Sequence, residues 1–196
     1  MILQPMIHPL ETTRLILRPL EIGDAPPAQI LFANYEIVRF MSHLIPWPFP
    51  ADGALTYYRD VALPAMARGD EWHWTLRLKE DPDQLIGGIS LRKQENKNRG
   101  FWIGLPWQGR GLATEAAEAV TGYWFDVLGF PVLRVPKAVA NTASRRISEK
   151  TGMRVIATDF QDYVSGRWPT ELREITAEEW RQRAGQPQRH DDSFCG

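Results

Sequence analysis

The sequence predicts a single α/β domain in which a mostly antiparallel sheet is flanked by helices. Segments whose apolar residues alternate at period two, as in strands, are interspersed with segments of helical period along most of the chain. Two pairs of predicted strands are separated by short turn-forming segments, which is typical of hairpins. The 196 residues suffice to bury one core, and no change of composition divides residues 1–184. Residues 185–196, rich in Gln, Arg and Asp, are expected to form a mobile C-terminal tail.

The first half of the chain is predicted to contain three strands and three helical segments. The alternation of TRLILRP indicates the first strand, and Asp24 is a suitable N-cap for the first helix. Pro64 is expected to kink or end the third helical segment, and the turn-forming residues 80–83 are expected to join a hairpin. In order, these elements are a strand over 13–19, helices over 24–33, 36–41 and 52–68, and strands over 72–79 and 84–93.

The second half is predicted to alternate strands and helices before it closes with a second hairpin. Asn141 and Gly152 are good cap residues for a helix between them, and Thr176 with Glu179 forms a capping box for a last helix. Pro136 lies inside a predicted strand, where proline normally marks an edge. In order, these elements are a strand over 98–105, a helix over 113–128, a strand over 132–140, a helix over 141–151, and strands over 155–164 and 168–175.

The most informative stretch is WQGRGLATEA, residues 107–116. It places Gly109 and Gly111 in a turn between an aromatic strand and an alanine-rich helix. Glycines let the backbone approach an anion closely, and the unpaired N–H groups and dipole at a helix start favour negative charge. The stretch therefore predicts a phosphate-binding site. No Walker sequence GxxxxGK[ST] occurs, and Thr114 stands where a dinucleotide-binding GxGxxG/A sequence requires a small residue.

A second motif lies downstream in NTASRRISEKTGM, residues 141–153, which fits N-x-x-S/A-x(3)-Y/S-x-K-x-G. Together with residues 108–113, which fit Q/R-x-x-G-x-G/A, it resembles the GCN5-related N-acetyltransferase (GNAT) superfamily. The string GFWIGLPWQGRGLATEAAEAV is similar to the ribosomal-protein-alanine acetyltransferase (RimJ/RimL-type) subgroup. The resemblance covers residues 12–175. It departs at Met153, where phenylalanine is usual, and at Arg99, where a glutamate is common.

The resemblance implies a GNAT fold, a mixed and mostly antiparallel sheet of about seven strands that is splayed between strands four and five. Acetyl-CoA, as the acetyl donor, would lie in that opening, with no metal ion. Pro136 is compatible with a strand edge that has lost its partner, although a simple sheet edge would suit it equally. The residues implied to contact acetyl-CoA are Trp102, Ile103, Gly104, Leu105, Gln108, Gly109, Arg110, Gly111, Leu112, Ala113, Thr114, Asn141 and Ser144.

The implied chemistry is direct attack of a primary amine on the thioester in a ternary complex. The oxyanion would meet a backbone N–H within residues 102–105. Ser148, at the place where the family usually has tyrosine, would give a proton to the departing thiolate. Because the usual glutamate is missing, His73, Glu71 and His43 are candidate general bases, and a water chain to a distant carboxylate is the alternative.

The subgroup resemblance implies a protein or peptide N-terminus as the acceptor. Trp47 and Phe49, held in the proline-rich PWPFP segment, are candidate acceptor contacts together with His73. A hydrophobic plug is the alternative role of that segment. A small-molecule amine, such as a polyamine, amino acid or antibiotic, is the alternative acceptor. The alternatives from other classes are a non-catalytic acyl-CoA-binding module and a dinucleotide-dependent oxidoreductase.

Composition and charge narrow the expected partners. A net charge of −1 and a pI near 6.4 argue against a nucleic-acid partner, which needs a basic face. The sequence has no apolar run near the length of a membrane span and no N-terminal secretion signal, so no membrane association is expected. Its one cysteine, Cys195, fits a reducing cytoplasm. Monomer and homodimer are both open.

Overall fold

The computed structural model describes residues 7–184 of the chain, which contain eight strands and seven α-helices. The predicted tail and Cys195 lie outside it. The strands are β1 (Leu10–Glu11), β2 (Leu15–Pro19), β3 (Glu71–Leu78), β4 (Gly87–Arg92), β5 (Arg99–Ile103), β6 (Val132–Ala138), β7 (Arg154–Tyr163) and β8 (Gly166–Thr176). The helices are α1 (Ala25–Phe32), α2 (Tyr35–Val38), α3 (Gly53–Tyr57), α4 (Leu63–Arg68), α5 (Leu112–Gly122), α6 (Thr142–Lys150) and α7 (Ala177–Ala184).

The strands form two antiparallel sheets, one in the order β1-β2-β3-β4-β5 and one in the order β6-β8-β7. They comprise the seven predicted strands and the short β1, which the sequence did not indicate. Both predicted hairpins, β3-β4 and β7-β8, are confirmed. The two sheets separate between β5 and β6, which are the fourth and fifth predicted strands. The predicted position of the splay is therefore confirmed.

The split between β5 and β6 is closed at one end by Asn98 and Arg134. The Asn98 N–H donates to the Arg134 carbonyl at 2.8 Å, and the Arg134 N–H donates to Asn98 Oδ1 at 2.8 Å. Backbone groups two residues apart in a strand point the same way, so the backbone of Pro136 also faces the split. Proline has no N–H there to lose. The strand edge predicted from Pro136 is thus the edge that borders the split.

Two apolar cores pack against opposite faces of the sheets. The larger one joins α5 to the strands and includes Trp74, Trp124 and Leu133, each at most 2% exposed. The smaller one joins α1, α3 and α4 to the other face and includes Ala28 and Ala62. Each face of the split is therefore lined by a different set of helices.

Several predicted boundaries need correction. The strand predicted over 98–105 ends at Ile103, because Leu105–Trp107 forms a short 3₁₀ turn with Pro106 at its start. The strand predicted over 132–140 ends at Ala138. The helix predicted over 52–68 is interrupted by a π-turn over Tyr58–Ala62, which leaves Pro64 in the first turn of α4, where proline is tolerated.

The capping box before α7 is confirmed, with the Thr176 N–H donating to Glu179 Oε2 at 2.8 Å and the Glu179 N–H donating to Thr176 Oγ1 at 3.2 Å. Within residues 7–184, no helix has both the length and the apolar character needed to cross a bilayer.

Candidate active site

The glycine-rich turn between β5 and α5 presents a row of free backbone donors. Gly109 and Gly111 have φ values of +74° and +78°, which only glycine adopts easily. Among the described residues, no acceptor pairs with the N–H groups of residues 109–114, and the first bonded amide is that of Glu115, which donates to Gly111 at 3.1 Å. Residues 108–111 are exposed. The turn has the geometry of a helix-start anion site.

Arg14 holds this turn in place, a role that the sequence analysis missed. Its Nη1 donates to the carbonyl of Arg110 at 2.9 Å, and its Nε pairs with Glu115 Oε2 at 2.8 Å. Glu115 also accepts from the Arg14 N–H at 2.7 Å and from the Thr12 hydroxyl. Partial burial raises the pKa of Glu115, but the hydrogen bonds from Thr12 and Arg14 outweigh it and lower that pKa. The start of β2 therefore anchors the turn through a charged carboxylate.

The wall of the split on the β5 side offers backbone groups that pair with no strand. The Gly104 N–H donates to the carbonyl of Ile86, the residue before β4 in the same sheet, at 2.9 Å. Alternation along the strand then turns the backbone groups of Phe101 and Ile103 toward the split. Gln108 Nε2 donates to the Ile103 carbonyl at 2.9 Å, so the Ile103 N–H is the free donor. Within the predicted oxyanion stretch, Ile103 is the residue that is aligned for that role.

Helix α6 borders the split on the β6 side. Asn141 caps it, since its Oδ1 accepts from the Ser144 N–H at 3.1 Å. Ser148 is fully buried at 0% exposure, and its Oγ has no hydrogen-bond partner among the described residues. The orphaned hydroxyl is compatible with a role toward a ligand in the split.

Arg99, which stands at the place of the family's glutamate, points away from the acceptor face. It is buried, and its Nη1 donates to Thr121 Oγ1 at 2.6 Å on α5. Burial lowers the pKa of Arg99 to about 10, against a smaller opposite effect of Glu118. Arg99 is thus a buried cation under the sheet and is no substitute for a base.

The opposite face of the split is lined by aromatic side chains. Phe32 contacts Phe49 and Trp102 edge to face, with ring centroids 5.1 and 5.3 Å apart. Phe49 packs against the smaller core, whereas Trp47 is 42% exposed beside Tyr35, at 5.4 Å between ring centroids. The packing of Phe49 against the smaller core agrees with the alternative, structural role of this segment, whereas Trp47 is exposed to solvent.

The segment that carries these aromatics crosses from one sheet to the other. The Val164 N–H donates to the Met41 carbonyl at 3.0 Å, and the Ser165 N–H donates to the Arg39 carbonyl at 3.0 Å. The residues that follow reach the smaller core through Phe49. The segment thus covers the split on the face opposite α5 and α6.

A pair formed by the buried His73 and the partly buried Glu71 lies on the same face. His73 Nε2 lies 2.6 Å from Glu71 Oε2, and His73 is 5% exposed. Burial lowers the pKa of His73, Arg92 lowers it further, and Glu71 opposes them, so the ring is neutral at neutral pH. In the sheet register His73 pairs with Ser90, and Ser90 pairs with Gly100 at the edge of the split.

The third predicted base, His43, lies elsewhere. It is exposed, and its Nδ1 is 3.3 Å from the Asp162 carbonyl on the rim of the second sheet. Of the three candidate bases, His73 and Glu71 lie together, and His43 lies apart from them.

A family model, the acetyltransferase (GNAT) domain, matches residues 14–154, which include the glycine turn, both walls of the split and α6. The chain belongs to the GNAT acetyltransferase family. Membership confirms the predicted fold and the prediction of an acetyl-CoA-dependent N-acetyltransferase.

Known GNAT proteins are similar over most of the chain. The uncharacterized N-acetyltransferase YoaA of Bacillus subtilis is 31% identical over 148 residues, which are 73% of this chain and 81% of YoaA. The ribosomal L7/L12 alpha-N-protein acetyltransferase RimL, in complex with coenzyme A, superposes with a TM-score of 0.69 at 13% identity over 88% of this chain and 97% of RimL. A variant of the spermidine N-acetyltransferase SpeG of Vibrio cholerae superposes with a TM-score of 0.69 at 19% identity over 87% of this chain and 98% of SpeG.

The GNAT fold explains why the predicted donor residues converge. Residues 102–105 and 108–114 form one wall and the mouth of the split, and Asn141 and Ser144 begin the helix on its other side. Their contacts with acetyl-CoA stay predictions, as do the acceptor contacts of Trp47, Phe49 and His73. Arg14 was missed, because it belongs to no motif and its role depends on tertiary contacts.

Proposed function

We propose that this GNAT enzyme transfers the acetyl group of acetyl-CoA to the free amine of a protein or peptide N-terminus. The observation that carries the choice of acceptor is the aromatic cluster of Phe32, Phe49 and Trp102, together with the exposed Trp47 two residues before Phe49. On this face Glu71 is committed to His73 and lies 3.6 Å from Arg92. An aromatic wall suits a short uncharged peptide better than a polycation, which would need several free carboxylates.

The donor half of the proposal follows from the free backbone amides. The N–H groups of residues 109–114 would bind the pyrophosphate of CoA, with Arg14 fixing the turn behind them. The pantetheine arm would run into the split, beside Asn141 and Ser144. The Ile103 N–H would donate to the thioester oxygen and strengthen that bond as negative charge develops there. Ser148, predicted to give a proton to the departing thiolate, would donate a hydrogen bond to the sulfur.

The acceptor half uses the buried His73–Glu71 pair as the base. An N-terminal ammonium must lose a proton before its nitrogen can attack. His73, which is neutral at neutral pH, would take that proton through a water molecule above Gly100, and Glu71 would orient and stabilise the resulting imidazolium. The attacking amine would approach between this pair and Trp47.

A thiol-release assay with a panel of amines tests the proposal. Acetyl-CoA should be consumed fastest with short peptides that have a free N-terminus, and not with the same peptides after N-terminal blocking. Spermidine should be a poorer acceptor by kcat/KM. Preference for spermidine would overturn the choice of acceptor, and CoA binding without thiol release on any amine would overturn the catalytic function.

A further inference from the structure

Lys137 is a buried cation on the wall of the split. It follows Leu133 and Val135 in the row of β6 side chains that point into the larger core, and it is 9% exposed. Its ammonium lies 4.9 Å from the centroid of the Phe101 ring on β5. Because Phe101 and Lys137 belong to different sheets, this cation–π contact spans the opening itself.

No described carboxylate neutralises this ammonium. Glu171 pairs with Lys137 in the β6-β8 register, but its two oxygens are bound by Arg145 and Arg173. Burial, then Arg99 and then Arg173, lower the pKa of Lys137 from 10.5 to about 7. The charged groups around Lys137 are Arg99 from β5, Glu171 and Arg173 from β8, and, behind these, Arg145 and Glu149 from α6.

A buried cation without a counter-ion is costly unless a ligand supplies the negative charge. The proposed reaction forms such a charge in the split at every turnover, because breaking the carbon–sulfur bond leaves a thiolate on CoA. Lys137 reaches the split from the same face as α6, the helix that carries Ser148.

We infer that the Lys137 ammonium stabilises the CoA thiolate and protonates it as it leaves. The inference rests on the proposed acetyl transfer. The amine nitrogen attacks the thioester carbon, the carbon–sulfur bond breaks with its electron pair on sulfur, and Lys137 Nζ gives a proton to that sulfur. Neutral Lys137 then regains a proton from solvent. His73 releases to solvent the proton that it took from the ammonium, and it accepts the second proton, which the attacking nitrogen loses as the amide forms.

Lys137 suits this step better than the hydroxyl of Ser148. Proton transfer is efficient when the acid has a pKa near the working pH, and an aliphatic alcohol is far too weak an acid to give its proton to a thiolate. A lysine whose pKa is near 7 meets that condition. Ser148 then acts as a neutral hydrogen-bond donor to the sulfur.

Three variants separate these roles. Lys137→Met removes the charge at similar length, Lys137→Arg keeps a charge that does not dissociate, and Ser148→Ala removes the hydroxyl. Lys93→Met is the control, because Lys93 also lies over an aromatic ring, that of Trp72 at 5.7 Å, but it follows β4, a strand that does not border the split. Each variant is tested for folding, for steady-state kinetics and for titration of bound CoA.

We expect Lys137→Met to lower kcat by about 10²-fold or more, the usual contribution of a general acid, and to change the KM for acetyl-CoA much less. Lys137→Arg should lose most of kcat as well, and Lys93→Met should retain it. Loss of kcat should be smaller in Ser148→Ala than in Lys137→Met. Lys137→Met should not unfold earlier than wild type, since it removes a buried charge.

The thiol pKa of CoA bound to the protein can be measured by titration, followed by the ultraviolet absorbance of the thiolate. If Lys137 had only a structural role, its replacement would leave this pKa unchanged. Wild type and Lys137→Arg should lower the thiol pKa of bound CoA, and Lys137→Met should return it toward the value of free CoA. An unchanged thiol pKa or full kcat in Lys137→Met would overturn the inference, as would an acetyl group found on Lys137 by mass spectrometry.

The titration needs CoA alone, so it distinguishes the two proposals. If wild type releases no thiol with any amine yet Lys137 lowers the pKa of the bound thiol, the proposed function fails and the thiolate contact stands. If CoA does not bind, both are overturned.

Discussion

Replacement of Gly111 by valine tests the donor site most specifically. Gly111 has a φ of +78° and directly precedes α5, and a Cβ added to it would lie 3.4 Å from Arg14 Nη2. A residue with a Cβ in this conformation carries about 1–3 kcal/mol of strain. If the turn relaxes to relieve that strain, its N–H groups no longer point toward the pyrophosphate site. Binding of CoA must then restore the strained conformation. The same energy then appears as a loss of CoA affinity of about 5- to 150-fold.

Gly129→Val is the matched control. Gly129 has a φ of +72°, nothing lies within 4 Å of its added Cβ, and it is outside the glycine turn. Both variants should lose similar stability in thermal unfolding, and only Gly111→Val should lose CoA affinity in calorimetry. A folded Gly111→Val protein that binds CoA as tightly as wild type would refute the assignment of this turn to the pyrophosphate.

Three further predictions concern the other parts of the site. Asn141→Ala should lower stability by about 1 kcal/mol through loss of an N-cap and should also raise the KM for acetyl-CoA; Asn34→Ala, which removes the N-cap of α2, should lower stability alone. Trp47→Ala should raise the acceptor KM with little effect on the melting temperature, whereas Phe49→Ala should lower that temperature; the reverse would make Trp47 a plug. The pKa of His73 in the folded protein lies below 6.5, so protonation of this ring favours unfolding, and stability should fall as the pH drops below 6.5. His73→Phe should weaken this pH dependence of the melting temperature, and an unchanged dependence would contradict the prediction.

The order of elements was predictable because each is encoded locally. The alternation of β2, the turn of the β3-β4 hairpin and the capping box of α7 depend on neighbouring residues in the chain. The glycine turn and the Asn141 cap of α6 were predictable for the same reason, since they lie in two short motifs. The splay was also indicated locally, because Pro136 lies in a predicted strand and proline there is typical of a strand edge.

The remaining features depend on contacts between distant segments, which no local pattern encodes. Arg14 and Glu115, which form a hydrogen bond, are 101 residues apart in the sequence. Nothing in the sequence around Lys137 distinguishes it, and its contact with Phe101 depends on the fold. The π-turn that accommodates Pro64 likewise reflects packing of the whole helix rather than the preference of one residue.

The measurement that tests the account most directly is thiol release from acetyl-CoA in the presence of one short peptide with a free N-terminus. Its blocked form and spermidine serve as the two comparisons. We predict rapid release with the free peptide, none above background with the blocked form, and a lower kcat/KM with spermidine. Binding of CoA to the protein with no release on any of these amines would contradict the central claim that the split is a site of acetyl transfer.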